Sequence, residues 1–277
     1  MQNCIHKVEE ISIKNPIFNN VAECTYIVLC CGENPKRLPN VKENLSKLNP
    51  TTKVKLIFNK GYKNCPLSKS VNHDLVNIQN WIFNDAIHNN YTRILYLEDD
   101  FELKNSLNKD DIVSIKSFIK NNNPDVYGLG NFSMPNILSV FNAHEKVLLN
   151  FLGLTHAVFY NKKAMQILSK YYISTKNPVN LGIDTSISEV KGIKVYRYYR
   201  PLIYQKLPAT DNQKEGWKNQ IGTILATISI GVIKLLKLDT RLDPGYTVLY
   251  TLPYLFYLIL LIILFFLIKC LYKKIKK

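Results

Sequence analysis

Arg93-Ile94-Leu95-Tyr96-Leu97-Glu98-Asp99-Asp100-Phe101-Glu102 decides how the rest of the chain reads. Ile94 to Leu97 form a short apolar run, rich in strand formers and too short for a buried helix. The run ends abruptly in Glu98, Asp99 and Asp100. Adjacent carboxylates repel, and each must stay hydrated or find a cation. At the carboxyl end of a buried parallel strand such a cluster has a use, because ligands of open α/β sheets bind in the crevice there. Hard oxygen ligands suit Mg²⁺ or Mn²⁺, often with substrate phosphates completing the shell. The competing reading is a solvated strand end.

Outward from this strand the pattern is α/β. Thr25–Cys31 is a buried strand, Gly32-Glu33-Asn34-Pro35 a turn, and Pro39–Leu48 a helix with its proline early, where a missing N–H does no harm. Lys53–Phe58 is a second strand. Ser70–Asn89 is an amphipathic helix with Leu75, Ile78, Ile82 and Ala86 along one face and Trp81 beside them. Strand, helix, strand, helix, strand and then acids is the order of an α/β sheet. A helix over Asp110–Lys120 and a strand over Asp125–Leu129 follow. Lys146–Phe159 carries one or two strands, Lys162–Tyr172 a helix and Ile193–Tyr199 a last strand. Residues 1–24 show little periodicity and read as an extension that wraps or dangles.

The end of the chain is different. Val248–Ile268 is 21 residues without a charge, about 30 Å of helix, the thickness of a bilayer's hydrocarbon core. Tyr246, Tyr250, Tyr254 and Tyr272 stand near its ends, as an aromatic belt would. Five lysines follow (Lys269, Lys273, Lys274, Lys276 and Lys277), which argues for a cytosolic tail. Residues 1–7 show no apolar h-region, so the expectation is a cytosolic catalytic domain as well. One crossing cannot satisfy both. Ile221–Leu238, apolar except for Lys234 and Lys237, reads either as the first leg of a membrane hairpin, slightly preferred, or as a helix lying in the interface. The expected organisation is an extension over 1–24, an α/β domain over 25–218, the apolar segment over 219–245, and the span with its basic tail over 246–277.

The formal charge is +15, of which residues 219–277 contribute +6 (eight Lys/Arg less two Asp). The remaining excess attracts phosphates or anionic lipid. Nucleic acid is not expected, because there is no zinc-finger spacing, no basic–aromatic RNA signature and no basic block in the first 200 residues. The six cysteines (Cys4, Cys24, Cys30, Cys31, Cys65 and Cys270) match neither a zinc site nor a disulfide framework, a usage that suits a reducing compartment.

Leu97-Glu98-Asp99-Asp100, ending a strand after two strand–helix units, resembles the acidic metal-binding motif of glycosyltransferases with the GT-A fold (the Asp-X-Asp motif in its Glu-Asp-Asp variant). Further pieces resemble glycosyltransferase family 25, which includes lipooligosaccharide and procollagen galactosyltransferases and has members in large DNA viruses. Gly32–Leu48 with Arg37 resembles its segment after the first strand. Leu154-Thr155-His156-Ala157-Val158-Phe159-Tyr160 resembles its G-T-H-A-Y strand. Asn177-Pro178-Val179-Asn180 and Arg200-Pro201-Leu202-Ile203-Tyr204-Gln205 resemble its P-V-D and P-P-L-x-x-Q pieces. The resemblance spans about Tyr26–Gln205.

It implies a single Rossmann-like GT-A domain, which the apolar stretch over Val248–Ile268 would anchor through the C-terminus to a membrane (of a host or a virion, if viral). That domain would transfer a hexose from a nucleotide sugar, in the first instance a UDP-sugar, to a hydroxyl of a glycan, glycolipid or protein. Carried over by position, Asp100 binds Mn²⁺ or Mg²⁺, Asp99 meets the metal through water or meets the ribose, and Glu98 holds sugar or ribose. Glu102 points to the same face if the strand continues. Such a cation neutralises the diphosphate as it leaves. An inverting transfer needs a base for the acceptor hydroxyl, and Asp184 is the candidate. The family's acid position reads Asn180 here, so Asp184 involves a small shift, and a helix N-cap is its other reading. Glu189 is a weaker candidate. His156 is the candidate histidine ligand, against a neutral strand histidine; Gln205 or Asp211 could substitute. Arg37 and Lys69 are candidate phosphate or uracil contacts, and His73 and Asp74 open the helix beside the pocket. Two rivals stand beside this reading: a nucleotidyltransferase, which would want a Gly-rich loop after the first strand, and a membrane-tethered, non-catalytic binding or scaffold protein of the same fold.

Overall fold

The computed structural model describes residues 4–30, 37–133, 136, 139, 142–147, 153–174, 182–205, 207 and 217–275. The expected turn at 32–35, the Asn177–Asn180 piece, Asp211 and the last two lysines lie outside these residues. The chain order is β1 (Ile5–Ser12), β2 (Cys24–Cys30), α1 (Arg37–Leu48), β3 (Lys53–Asn59), α2 (Val71–His88), β4 (Arg93–Glu98), β5 (Phe101–Glu102), α3 (Lys109–Asn122), β6 (Val126–Gly128), β7 (His144–Lys146), β8 (Ala157–Asn161), α4 (Lys162–Ser174), α5 (Ile183–Glu189), β9 (Val195–Tyr198), β10 (Tyr204–Gln205), α6 (Trp217–Leu235) and α7 (Gly245–Ile275).

Eight strands form one sheet in the order β1-β3-β2-β4-β8-β6-β9-β7, and β10 pairs with β5 in a separate two-stranded ribbon. β3 and β4 both run parallel to β2, whereas β8 runs antiparallel to β4 and β6. β2 leads through α1 to a neighbour on one side and through β3 and α2 to a neighbour on the other. The order of travel reverses there, so the carboxyl ends of β2 and β4 flank a topological switch point, where open α/β sheets bind ligands. This is the Rossmann-like mixed α/β architecture expected of a GT-A fold.

Both faces of the sheet are covered, which is why β4 reads as an unbroken apolar run. Ile94 and Tyr96 pack with Ile78, Ile82, Phe83 and Ala86 of α2 and Met165 and Leu168 of α4. Leu95 and Leu97 pack on the other face with Val41 and Leu45 of α1 and Ile115 and Ile119 of α3. Helix ends follow local chemistry. Ser70 caps α2 by accepting from the His73 N–H at 3.2 Å. Asn108 caps α3 by accepting from the Asp111 N–H at 2.7 Å, and Asn123 stops it in the left-handed region at φ 42°.

Three expectations are corrected. Residues 5–12 do not dangle: β1 lies antiparallel on the outer edge of β3. Its run of His6, Lys7, Glu9 and Glu10 hides the strand from a periodicity reading, and charge is what an exposed edge carries. Second, Cys4 and Cys65 form a disulfide with Cα atoms 5.0 Å apart. Adding β1 to the sheet is what brings Cys4 to the loop before α2, so sequence spacing could not pair them. Third, Tyr246, Tyr250 and Tyr254 do not form an interfacial belt but dock the root of α7 on the sheet. Tyr246 donates to the Gly130 carbonyl at 2.7 Å and Tyr250 to the Asn131 carbonyl at 2.5 Å. Tyr254 donates to Glu145. Leu207, Ile233, Leu238, Tyr246 and Tyr250 form a core cluster of their own, so packing runs straight across the break expected at 218/219.

Among the described residues one helix, at Gly245–Tyr272, is long and apolar enough to cross a membrane. From a non-helical Gly222 (φ 80°), the apolar part of α6 runs to Leu235, about 20 Å of helix and shorter than a hydrocarbon core. Among the described residues the hairpin reading lacks a first leg long enough to cross.

The disulfide closes a separation of 61 residues, and loss of such a bond costs roughly 2–4 kcal/mol. Cys4→Ser is expected to lower the unfolding free energy by that amount, seen as a lower denaturant midpoint, and to abolish the sensitivity of the native chain to reductant. Coincident unfolding curves of native and variant chains under non-reducing conditions would contradict the bond.

Candidate active site

The site is built at the switch point. β4 delivers Glu98 at its last position, and the chain turns through Asp99 and Asp100 before β5. The Glu98 N–H donates to the His156 carbonyl at 3.0 Å, which ties the acidic end of β4 to the approach to β8. Opposite, at the start of α1, Arg37 donates to the buried Asp99 carboxylate in an ion pair. The β5–β10 ribbon then aligns Gln205 with Phe101. From there the Gln205 amide reaches both oxygens of Asp100 at 3.0 Å and Glu98 Oε2 at 3.3 Å. Asp184, in the first turn of α5, comes in from the far side. It accepts from the Leu154 N–H at 3.2 Å and from the Thr155 hydroxyl. Its side chain therefore reaches from inside the first turn of α5 to the segment beside Glu98.

The electrostatics follow from four carboxylates in a half-dry crevice. Burial, then the charges of Asp100, Asp184 and Asp99, push Glu98 well above the ordinary carboxylate range, against the pull of Arg37. Burial also raises Asp100, opposed by Arg37 and by the Gln205 hydrogen bonds. Burial raises Asp184 to about 6, with the Thr155 hydroxyl and the backbone N–H groups of Leu154 and Thr155 holding it from going higher. Burial disfavours the anions of Glu98, Asp100 and Asp184, and the neighbouring acids add to this at Glu98. A divalent cation is the partner that such a donor set fits: clustered hard oxygens, crowded by like charge, at a ligand crevice.

The structure thus brings together Arg37, Glu98, Asp99, Asp100, Asp184 and Gln205. Lys69 is exposed, in the loop after β3, and that strand is separated from β4 by β2. His73 accepts from the Lys69 N–H at 3.1 Å. Asp74 is buried, accepting from Ser68 at 2.7 Å and Asn59 at 2.6 Å. Glu102 pairs with Tyr204 in the ribbon, and Glu189 is exposed, accepting from Tyr171. His156 is fully buried, and burial lowers it to about 4, so the ring is neutral. Its Nε2 donates to the Ile203 carbonyl at 2.9 Å. That proton is committed to the backbone two residues before Gln205.

Sequence reasoning missed the packing behind the site. Gly130 lies under the Ile203 carbonyl and His156 Nε2, and a Cβ there would collide with both. The Gly130 carbonyl accepts from Tyr246, whose ring lies edge-on to Tyr204 with centroids 5.1 Å apart. Beyond it, Arg197 and Glu145 form a fully buried ion pair at 2.7 Å, with Tyr250 against the guanidinium at 4.7 Å. The glycine is the one sequence signal that could have pointed here, as a close backbone approach.

No protein-family profile matches the chain, and no curated protein sequence matches it. Solved structures do. A glycosyltransferase involved in the glycosylation of the major capsid of PBCV-1 is similar at 14% identity and a TM-score of 0.43, over 69% of this chain and 96% of that one. A197 from STIV is similar at 14% identity and a TM-score of 0.40, over 68% and 86%. A UDP-glucose pyrophosphorylase complexed with UDP-glucose is similar at 12% identity and a TM-score of 0.39, over 78% and 81%. These are likenesses of backbone architecture; the fold rests on the strand order and directions given above.

Removing one acid relieves repulsion and removes a candidate ligand at once. Asp100→Asn is expected to leave the melting temperature unchanged or raised without divalent cation. It is also expected to lose the stabilisation that Mn²⁺ gives the native chain, about 2.7 kcal/mol at a hundredfold excess over Kd. Thermal melts with and without Mn²⁺ check both. An equal rise in native and variant chains would place the cation elsewhere.

Proposed function

We propose that this chain is a cation-dependent glycosyltransferase that moves a hexose from a nucleotide sugar, a UDP-sugar in the first instance, to a hydroxyl acceptor at or near a membrane. The observation that carries the reading is the convergence of Glu98, Asp99, Asp100 and Asp184 at the sheet's switch point, with Arg37 and Gln205 against them. Asp100 and its neighbours Asp99 and Glu98 would hold Mn²⁺ or Mg²⁺, which when bound neutralises the diphosphate of the departing nucleotide. Arg37 fixes Asp99 and puts positive charge at the mouth of the crevice. Gln205 holds Asp100 and Glu98 in one orientation. We assign His156 to fixing the strand that carries Gln205, since its Nε2 proton is spent on Ile203.

Asp184 is the proposed base. Thr155 and the Leu154 N–H fix its carboxylate, leaving it to take the acceptor's proton. At about 6 it is largely ionised at neutral pH yet basic enough to share a proton in the transition state. The sign follows directly: protonation below this value removes the base, so rate falls with falling pH.

Two observations bear on orientation. A Cys4–Cys65 disulfide favours an oxidising compartment for the domain. Five lysines after the span favour a cytosolic tail. A single crossing, with the domain on the non-cytosolic side, satisfies both, whereas the cytosolic domain expected from the sequence does not. Asn90-Tyr91-Thr92 is an acceptor sequence for N-glycosylation with Asn90 exposed. When the full chain is made in a eukaryotic secretory system, Asn90 is expected to carry a glycan that Asn90→Gln removes. An unmodified chain in the membrane fraction would return the domain to the cytosol.

The activity test is Mn²⁺-dependent transfer by the full chain across a panel of nucleotide sugars. Asp184→Asn is expected to lower kcat by about 10²–10⁴ and to remove the acid limb of the pH profile near 6. Retention of that limb in Asp184→Asn would give the base role to another group.

A further inference from the structure

We infer that the outer face of α6 lies on the bilayer, so that the domain is seated on the membrane by two helices, one crossing and one in plane. The inference rests on reading α7 as a membrane span.

α6 is apolar on opposite sides. Ala226 and Ile233, 0% and 6% exposed, face the protein. Ile224, Ile228 and Leu235 share the opposite side of the helix and are 78%, 56% and 79% exposed. Gly231 falls between them with nothing near its Cβ position. Exposed Thr223, Thr227 and Lys234 form a polar flank between the two apolar sides, so the bare apolar side is turned to a second apolar environment while the flank stays near water. Lipid is the occupant that the surroundings specify. Ile233 and Leu238 pack with Tyr246 and Tyr250 at the root of α7, and Gly245 lies so close to the Leu236 carbonyl that a Cβ would collide with it. α6 therefore lies within one helix diameter of the point where α7 leaves the domain. Cover on α7 ends abruptly there. Tyr250 is buried, whereas every large apolar side chain from Leu258 to Ile268 is about half exposed. Hydrocarbon, if it surrounds α7, begins at the level of α6. Exposed Lys234, Lys237 and Arg241 edge the bare face and are long enough to reach lipid phosphates while their stems stay in the apolar layer.

The consequence for the proposed reaction is the place of the acceptor. Tyr246 touches Tyr204, the residue before Gln205, so the root of α7 is one ring away from the strand that holds the acids. An acceptor hydroxyl carried on a membrane component reaches such a site without leaving the surface.

The test uses the full chain in nanodiscs of phosphatidylcholine. A benzophenone amino acid replaces Ile224, Ile228 or Leu235 singly, all exposed, so that the fold is not at stake. Ile259 in α7 and Val113, 65% exposed on α3, receive the same replacement as references. After irradiation, lipid adducts are counted by mass spectrometry. Adducts at 224, 228 and 235 at a yield like that at 259, and at least about tenfold above 113, are expected of an in-plane helix. Adducts at 259 with none at the three α6 positions would put that face in water and overturn the inference, leaving the span intact. Crosslinks from these positions to a second copy of the chain would overturn it in favour of a dimer. Absence of adducts at 259 would remove the span, and the inference with it.

Discussion

Carboxylates drawn out of water need fixed donors or a cation, and this constraint organises the site. Burial is what lifts Glu98, Asp100 and Asp184 together, and at Glu98 the charges of Asp100, Asp184 and Asp99 add to it. It explains why each acid has a fixed donor: Arg37 on Asp99, Gln205 on Asp100 and Glu98, Thr155 on Asp184. Arg37 balances Asp99, whereas the neutral donors Gln205 and Thr155 hold their acids in place without cancelling charge. In the proposed function, the charge that is left would draw a divalent cation and, with it, a diphosphate.

The same donors tie the site to the rest of the molecule. Gln205 is held by the β5–β10 ribbon, and the ribbon is backed by His156, Gly130 and the tyrosines at the root of α7. The Arg197–Glu145 pair lies between β7 and β9 beneath Tyr250 and Tyr254. A buried pair stripped of its cover is strongly destabilising when either partner is lost. The root of α7 is therefore part of the domain's packing, and 254 is a better boundary for the compact unit than 218.

Much of the fold was legible because its signals are local. β4 announces itself as an apolar run ending in acids, α2 by its apolar face and Ser70 cap, and the strand–helix alternation gives the sheet class. The acid cluster was legible too, since adjacent carboxylates after a buried strand have few uses. What was not legible depends on contacts far apart in the chain. β1 carries charge because it is an edge, so its pattern does not alternate. Cys4 and Cys65 become neighbours only when β1 joins β3. The tyrosines at 246, 250 and 254 have the spacing of one helix face, and spacing alone cannot distinguish a membrane interface from a protein surface. His156 was legible as a special residue, but the atom that takes its proton is the Ile203 carbonyl, 47 residues away.

The central claim is that the acidic crevice breaks the bond between a sugar and a nucleoside diphosphate. The most direct measurement is the identity of the products when the full chain and Mn²⁺ are incubated with isotope-labelled UDP-sugars, with and without pyrophosphate. Free sugar or glycoside together with UDP, lost in Asp100→Asn, is the result expected of a glycosyltransferase. Sugar 1-phosphate and UTP, formed only with pyrophosphate, would contradict it and make the chain a nucleotidyltransferase. Tight binding of the UDP-sugar with neither product would contradict it in favour of a binding protein.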